Sequence, residues 1–138
     1  MAASAKTQEI IAQYYKAFNQ KDRHLLLSLL SEDIIHDINQ GPRHQGKESF
    51  VKFLDKMDNS YDETLEEMAI MVDSSGRRGA AEFMVLGTYL KTDGSLPPAR
   101  GQKYKIPAGA FFEVDTENNK ITRVTTYYNL PAWIEMVK

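Results

Sequence analysis

A polar stretch that contains one histidine gives the clearest chemical signal in the sequence. His36, Asp37, Asn39 and Gln40 surround a single isoleucine. The unperturbed pKa of histidine is about 6.5, so the His36 imidazole can exchange a proton near neutral pH, and a neighbouring carboxylate can tune it. Amide side chains can orient a ligand carbonyl. The stretch predicts acid–base chemistry or ligand contact by His36, with Asp37 tuning or replacing it. The alternative is a strand end whose polar side chains bond to loop backbone.

Paired tyrosines form a second group of candidate site residues. Tyr14 and Tyr15 lie side by side near the start of the chain, and Tyr127 and Tyr128 lie near its end. A buried tyrosine hydroxyl needs a hydrogen-bond partner, and in a pocket that partner can be a ligand oxygen. We expect Tyr14 and Tyr128 to donate hydrogen bonds to a ligand. The alternative is that they are amphipathic core residues.

Other short motifs argue against nucleotide and metal chemistry. Residues 41–49 nearly spell a phosphate-binding loop, but Glu48 follows the lysine where a Ser or Thr would contact Mg²⁺. The three histidines (His24, His36 and His44) lack the spacing of metal-binding motifs, and the chain has no cysteine. We therefore expect no metal, no cofactor and no thiol nucleophile.

The composition is that of a globular protein. The 138 residues fit one domain over residues 1–138, with 42% hydrophobic and 26% charged residues. Seventeen Lys and Arg against nineteen Asp and Glu leave a net charge of −2, which offers no basic field for nucleic acid. The chain has neither an apolar run that could span a bilayer nor a signal-peptide pattern at its first residues. We expect a cytoplasmic protein without a nucleic-acid or membrane partner.

The hydrophobic periodicity changes once along the chain. Apolar residues recur at spacings of three and four up to Met57, which predicts helices, and then alternate, which predicts strands. Helices followed by hairpin-linked strands are typical of an α+β fold, with the helices on one face of a mostly antiparallel sheet. The expected helices are residues 7–20, 22–30, 46–60 and 131–137, and the expected strands are 34–38, 64–73, 79–92, 103–115 and 120–129.

Four segments resemble the NTF2-like superfamily. They are residues 11–22 (IAQYYKAFNQKD), 29–37 (LLSEDIIHD), 46–50 (GKESF) and 124–129 (VTTYYN). Within that superfamily the chain is similar to the SnoaL-like, ketosteroid-isomerase-related group. The resemblance implies a cone in which a curved sheet wraps around helices and leaves an apolar pocket, and it implies dimers. It also implies either cofactor-free isomerase, cyclase, dehydratase or hydrolase chemistry, or a non-catalytic binding or dimerisation module.

When the chain is aligned without gaps to ketosteroid isomerases, their catalytic carboxylates have no counterparts in it. The isomerase base aligns with Ile38, and the protonated carboxyl of the oxyanion site aligns with Ala110. Asp37 would replace the base only if a bulge turned it inward, because neighbouring strand residues point to opposite faces.

Strand alternation also predicts which residues face the pocket and which face outward. The outer sheet face carries Glu82, Met84, Leu86, Arg123 and Tyr127, and we expect a homodimer through it. We expect a small apolar organic ligand with a polar end, and His36 should point toward it. The expected pocket lining is Tyr14, Phe53, Phe83, Val85, Ala108, Ala110, Phe112, Val124 and Tyr128.

Overall fold

The change in periodicity corresponds to a change from helices to sheet. The computed structural model describes residues 2–138. The α-helices are α1 (Ala2–Gln20), α2 (Arg23–Ser28), α3 (Lys47–Ser60) and α4 (Leu130–Val137). The strands are β1 (Leu30–Asp37), β2 (His44–Gln45), β3 (Tyr61–Val72), β4 (Arg78–Tyr89), β5 (Lys103–Asp115) and β6 (Lys120–Tyr128).

The strands form one curved, mixed sheet in the order β2-β1-β6-β5-β4-β3. All neighbouring pairs are antiparallel except β1 and β6, which run parallel. The long strands β3 to β6 follow one another as hairpins, whereas β1 comes from the helical part of the chain and pairs on the far side of β6. The predicted α+β class is confirmed, with four helices packed against one mostly antiparallel sheet.

The boundaries of β1, β3 and β4 differ from the prediction, since β1 begins at Leu30, β3 begins at Tyr61 and β4 ends at Tyr89. Leu29 is the C-cap of α2, and its carbonyl accepts a hydrogen bond from the Ile121 amide at 2.8 Å, so pairing with β6 begins at once and β1 starts at Leu30. The sequence predicts no strand at β2. It forms because His44 and Gln45 pair with the end of β1.

Helix α1 covers one half of the inner sheet face. Its apolar stripe is buried at Ile10, Ile11, Tyr14, Tyr15 and Ala17. Both tyrosine rings pack edge-on against the ring of Phe112, with centroids 5.7 and 5.8 Å away. Burying large side chains of this kind stabilises the fold by about 1.5–3 kcal/mol each.

Helix α4 closes one end of the sheet. Asn129 caps it by accepting a hydrogen bond from the Ala132 amide at 3.0 Å, and Pro131 lies in its first turn. The helix thereby delivers Trp133 into a buried aromatic cluster. The indole ring contacts Tyr61, Tyr89 and Tyr104, with centroids 4.9 to 5.9 Å away.

Candidate functional site

A cavity of about 450 Å³ lies between the helices and the inner face of the sheet. Most of its wall is apolar or aromatic, and a few polar side chains project into it. Of the residues expected to contact a ligand, these lie on its wall: Tyr14, His36, Gln40, Phe53, Phe83, Val85, Ala108 and Tyr128. Such a cavity has the size and lining that small-molecule sites share.

Three residues expected on the wall lie elsewhere. Ala110, Phe112 and Val124 have the predicted inward orientation but are buried in the closed core. The rings of Tyr14 and Tyr15 cover Phe112, and Val124 is its neighbour on β6. Alternation along a strand identifies the inner face, but the position of α1 decides which part of that face remains open.

His36 points into the cavity and is almost completely buried. It is 4% exposed and lies between Phe50 and Phe53, whose ring centroids are 4.6 and 4.5 Å from its own. Burial, helped by the charge of His44, lowers the pKa of His36 to about 4. The imidazole is therefore neutral at physiological pH, which corrects the expectation of proton exchange near its unperturbed pKa.

The His36 ring also lacks a protein partner for one nitrogen. Its Nδ1 is buried and makes no hydrogen bond with the residues that the structure describes. An unpaired buried nitrogen costs free energy, so such groups are rare in folded proteins unless they serve a ligand or water.

Asp37 lies on the opposite face of the sheet and does not line the cavity. Its two oxygens accept hydrogen bonds from the Arg43 guanidinium at 2.7 and 3.0 Å, and Oδ2 also accepts one from the Thr125 hydroxyl at 2.8 Å. The bond from Arg43 is the main reason that the pKa of Asp37 lies below its usual value. Asp37 anchors the loop after β1 and does not face the cavity, where the expected catalytic role would require it to lie.

The two amides after Asp37 have separate positions. Asn39 adopts a left-handed backbone conformation, with φ of 60°, and its Nδ2 donates a hydrogen bond to the Thr126 carbonyl at 2.7 Å. This contact secures the loop, and the Asn39 side chain is not on the cavity wall, contrary to the expectation of ligand contact. Gln40 does reach the wall.

Tyr14 on α1 and Tyr128 on β6 both line the cavity. Burial raises the pKa of both, and the nearby carboxylates of Glu63 and Asp93 raise that of Tyr128 further. Both phenols therefore stay protonated and act as hydrogen-bond donors rather than as bases.

Glu63 is a cavity residue that the sequence reasoning missed. It lies on the wall, and its Oε2 accepts a hydrogen bond from the Tyr104 hydroxyl at 2.6 Å. Burial raises the pKa of Glu63, although the Tyr104 bond acts in the opposite direction. The predicted strand begins at residue 64. Glu63 therefore lies outside the predicted strand. Strand alternation could identify it, because it lies two positions before the buried Leu65 and so points to the same face.

A loop after β4 completes the wall with Asp93, Gly94, Ser95 and Leu96. Asp93 connects this loop to β3 and to α3. Its Oδ2 accepts a hydrogen bond from the Tyr61 hydroxyl at 2.7 Å, and its Oδ1 lies 3.3 Å from the Lys56 ammonium.

Two further observations concern metals and membranes. Within residues 2–138 there is no group of three or more His, Asp or Glu side chains placed to hold a metal ion. None of the helices in that range combines the length and apolar character needed to cross a bilayer.

Solved structures similar to this chain carry the same fold at high sequence identity. A candidate polyketide cyclase from Pseudomonas putida KT2440 is 50% identical, with a TM-score of 0.92 over 96% of this chain and 98% of that one. One from Xanthomonas campestris pv. campestris is 43% identical, with a TM-score of 0.94 over 99% of both. One from Silicibacter sp. TM1040 is 47% identical, with a TM-score of 0.92 over 96% and 95%.

A search of curated proteins finds no match. The family model of the SnoaL-like domain matches residues 11–124, which is most of the chain. This match agrees with the cone-like arrangement of helices and sheet around an apolar cavity. The chain belongs to the SnoaL-like domain family of the NTF2-like superfamily, and it has the cavity of a small-molecule-binding protein.

Proposed function

We propose that the cavity binds a small, largely apolar organic molecule with one polar end and carries out cofactor-free proton-transfer chemistry on it. The observation that carries this proposal is the buried His36 ring on the wall of a largely apolar cavity of about 450 Å³. A ligand hydroxyl or carbonyl would give that ring the partner that the protein does not supply. The candidate polyketide cyclases similar to this chain support an enzymatic function.

The polar side chains of the wall have distinct roles in this proposal. His36 contacts the polar end of the ligand as a neutral imidazole. Tyr14 and Tyr128 donate hydrogen bonds to a ligand oxygen, and Gln40 orients the ligand. Phe53, Phe83, Val85 and Ala108 form the apolar surface against which the rest of the ligand packs.

Methyl naphthyl ketone tests this proposal, because it joins an apolar ring system to one carbonyl. Its affinity is measured by isothermal titration calorimetry, for the wild type and for His36→Leu. We expect His36→Leu to weaken ketone binding roughly 3- to 10-fold, the effect of one lost hydrogen bond, and to leave binding of unsubstituted naphthalene unchanged. Equal loss of both compounds would contradict a polar role for His36.

A non-catalytic binding module is the second candidate function. The low pKa of His36 and the engagement of Asp37 on the other sheet face favour it, because neither group is then suited to remove a proton near neutral pH. Ketone binding without any proton exchange on the bound ketone would support this alternative over an enzyme.

We also propose a homodimer through the outer sheet face. Phe111 and Tyr127 are each 51% exposed there and contact each other edge-on, with ring centroids 5.7 Å apart. Together with Met84 and Leu86 they form an apolar patch that a partner copy would shield from water. Met84→Lys should convert a dimer to a monomer in light scattering. A monomeric wild type at micromolar concentration would contradict the proposal.

We place this chemistry in the cytoplasm, as the sequence predicts, and fractionation of expressing cells tests that placement.

A further inference from the structure

A row of three residues crosses the inner sheet face at one end of the cavity. Glu63 on β3 pairs with Gly87 on β4, and Gly87 pairs with Tyr104 on β5. A side chain at position 87 would separate the other two, since an added Cβ would lie 2.2 Å from Cζ of Tyr104. Because Gly87 has no side chain, the Tyr104 ring can lie across β4. Its hydroxyl donates a hydrogen bond to Glu63 Oε2 at 2.6 Å.

We propose that Glu63 is the proton-exchanging residue of the cavity and that Tyr104 positions it through the gap at Gly87. The inference rests on the proposed function, in which the cavity holds a ligand that carries a carbonyl. Within residues 2–138 Tyr104 is the hydrogen-bond partner of the Glu63 side chain, and that bond uses Oε2. Oε1 is therefore free to face a ligand in the cavity whose wall Glu63 forms.

The surroundings of Glu63 suit a carboxyl group that must both take and return a proton. Burial disfavours its ionised form, and the Tyr104 hydroxyl and the charge of Lys21 favour that form. The net effect raises the pKa of Glu63 above its ordinary value, which makes its carboxylate a stronger base than an exposed one. Other titratable or charged groups also lie around it on several elements: Asp62 and Tyr61 on β3, Tyr128 on β6, Asp93 in the loop after β4, Arg23 on α2, and Lys56 and Asp58 on α3.

The reaction assigned to Glu63 needs no other reagent. Oε1 takes a proton from the carbon next to the ligand carbonyl. The C–H bonding pair becomes the carbon–carbon double bond of an enolate, and the carbonyl π pair moves to the oxygen, which accepts a hydrogen bond from Tyr128. The carboxyl proton exchanges with solvent, and the carboxyl then delivers a proton, or a deuteron in deuterium oxide, to the same carbon or, in a conjugated ligand, to a more distant one. The carboxylate is restored, and the ligand is unchanged or isomerised.

Exchange of hydrogen for deuterium tests this step directly. Methyl naphthyl ketone is incubated with protein in deuterium oxide, and loss of its methyl proton signal is followed by NMR. We expect the wild type to accelerate exchange over buffer and Glu63→Gln to lower the accelerated rate about 100-fold, the scale of general base catalysis. Glu63→Asp keeps a carboxyl group that is one methylene shorter, and it should retain part of the rate.

A matched control and a positioning variant complete the experiment. Glu66→Gln changes an exposed carboxylate on the same strand and should leave exchange unchanged. Tyr104→Phe removes the bond that favours the ionised carboxyl, so exchange should persist with its pH midpoint moved upward. A purely structural role for Tyr104 would not move that midpoint. Circular dichroism of each variant shows that it has folded.

The outcomes separate this inference from the proposed function. Ketone binding by the wild type without accelerated exchange, or wild-type exchange in Glu63→Gln, overturns the role of Glu63 and leaves the binding function standing. An unmoved pH midpoint in Tyr104→Phe overturns the positioning role. Failure of the wild type to bind the ketone overturns the proposed function, and this inference with it.

Discussion

His36 and Glu63, two titratable groups on the cavity wall, are buried in different ways. His36 lies between two phenylalanine rings, and its Nδ1 has no hydrogen-bond partner among the described residues. Glu63 lies beside Tyr104, whose hydroxyl donates to its carboxyl group. Burial moves both groups toward their neutral forms, since it lowers the pKa of His36 and raises that of Glu63.

The difference lies in the partner that each group keeps after leaving water. For the His36 imidazole the loss of hydration outweighs the attraction of the Asp37 charge, so the ring stays neutral and can only share hydrogen bonds with a ligand. A carboxyl group with a hydrogen-bond donor keeps its ionised form accessible, and proton exchange requires both forms. The cavity thus combines a group suited to binding with a group suited to reaction.

Removing one of the aromatic rings around His36 should have the largest effect on stability and on the pKa of His36. Phe50 is 1% exposed, and Phe50→Ala leaves a cavity that should lower the free energy of unfolding by about 3–5 kcal/mol. Water that enters should raise the pKa of His36 toward its ordinary value. Urea unfolding and an NMR titration of His36 measure the two effects. Met136→Ala, at a half-exposed site, is the control, and an equal loss there would contradict the packing argument.

The pH dependence of stability should distinguish the two groups by sign. The folded-state pKa of His36 is about 4 and the unfolded value 6.5, so the unfolded chain binds the proton first as the pH falls. The free energy of unfolding should fall by about 3 kcal/mol between pH 6.5 and 4. Because the pKa of Glu63 is raised, its contribution is complete below the unfolded value of 4.5 and is lost as the pH rises through the folded value.

Urea unfolding on the acid and alkaline sides of neutral pH measures the contributions of His36 and Glu63 to the free energy of unfolding. His36→Leu should flatten the fall on the acid side, and Glu63→Gln should remove the loss on the alkaline side. His24→Gln, at an exposed histidine, should keep the wild-type profile. The pKa of Asp37 is lowered, so its contribution is lost only as the pH falls below its ordinary value of 3.8. An unchanged acid limb in His36→Leu would refute the assignment.

Closing the gap at Gly87 should disconnect Glu63 from Tyr104. Gly87→Ala places a methyl group within 2.2 Å of the Tyr104 ring, which must move at a cost of about 1–3 kcal/mol in unfolding free energy. Proton exchange on methyl naphthyl ketone should then shift to higher pH, as in Tyr104→Phe. Gly41→Ala is the control, because nothing lies within 4 Å of its added Cβ. Wild-type stability and an unchanged pH profile in Gly87→Ala would show that the ring position is unimportant.

The smallest effect is expected on the outer face of the sheet. Asp37→Asn removes the charge that holds Arg43, whose side chain is largely exposed, so the loss of stability should be about 1 kcal/mol or less. Ketone affinity and exchange should be unchanged, because Asp37 does not line the cavity. Loss of exchange in this variant would restore Asp37 as a candidate base.

His36 and Asp37 show how far alternation along a strand predicts a site. His36 shares the inward phase of Ile38, and the structure places both on the cavity wall while Asp37 takes the other face. The same rule predicts Phe112 in the pocket, but that ring lies beneath α1. Phase along a strand depends on local backbone geometry, whereas the covering of a face depends on helix packing that no single strand encodes.

Glu63 shows what no local pattern reveals. Its chemical setting depends on Gly87 and Tyr104, which are adjacent to it only because three strands pair in one register. Neither the carboxylate nor the tyrosine stands out in its own segment, and the glycine resembles an ordinary interruption of a strand.

By itself the sequence determined the α+β class, the order of every element except β2, and the inward direction of His36, because each follows from periodicity and short-range backbone geometry. Only the tertiary structure decided the pKa of His36, the removal of Asp37 from the site and the pairing of Glu63 with Tyr104. Those properties arise from burial, from strand register and from the position of helices over the sheet, which join residues that are distant in the chain.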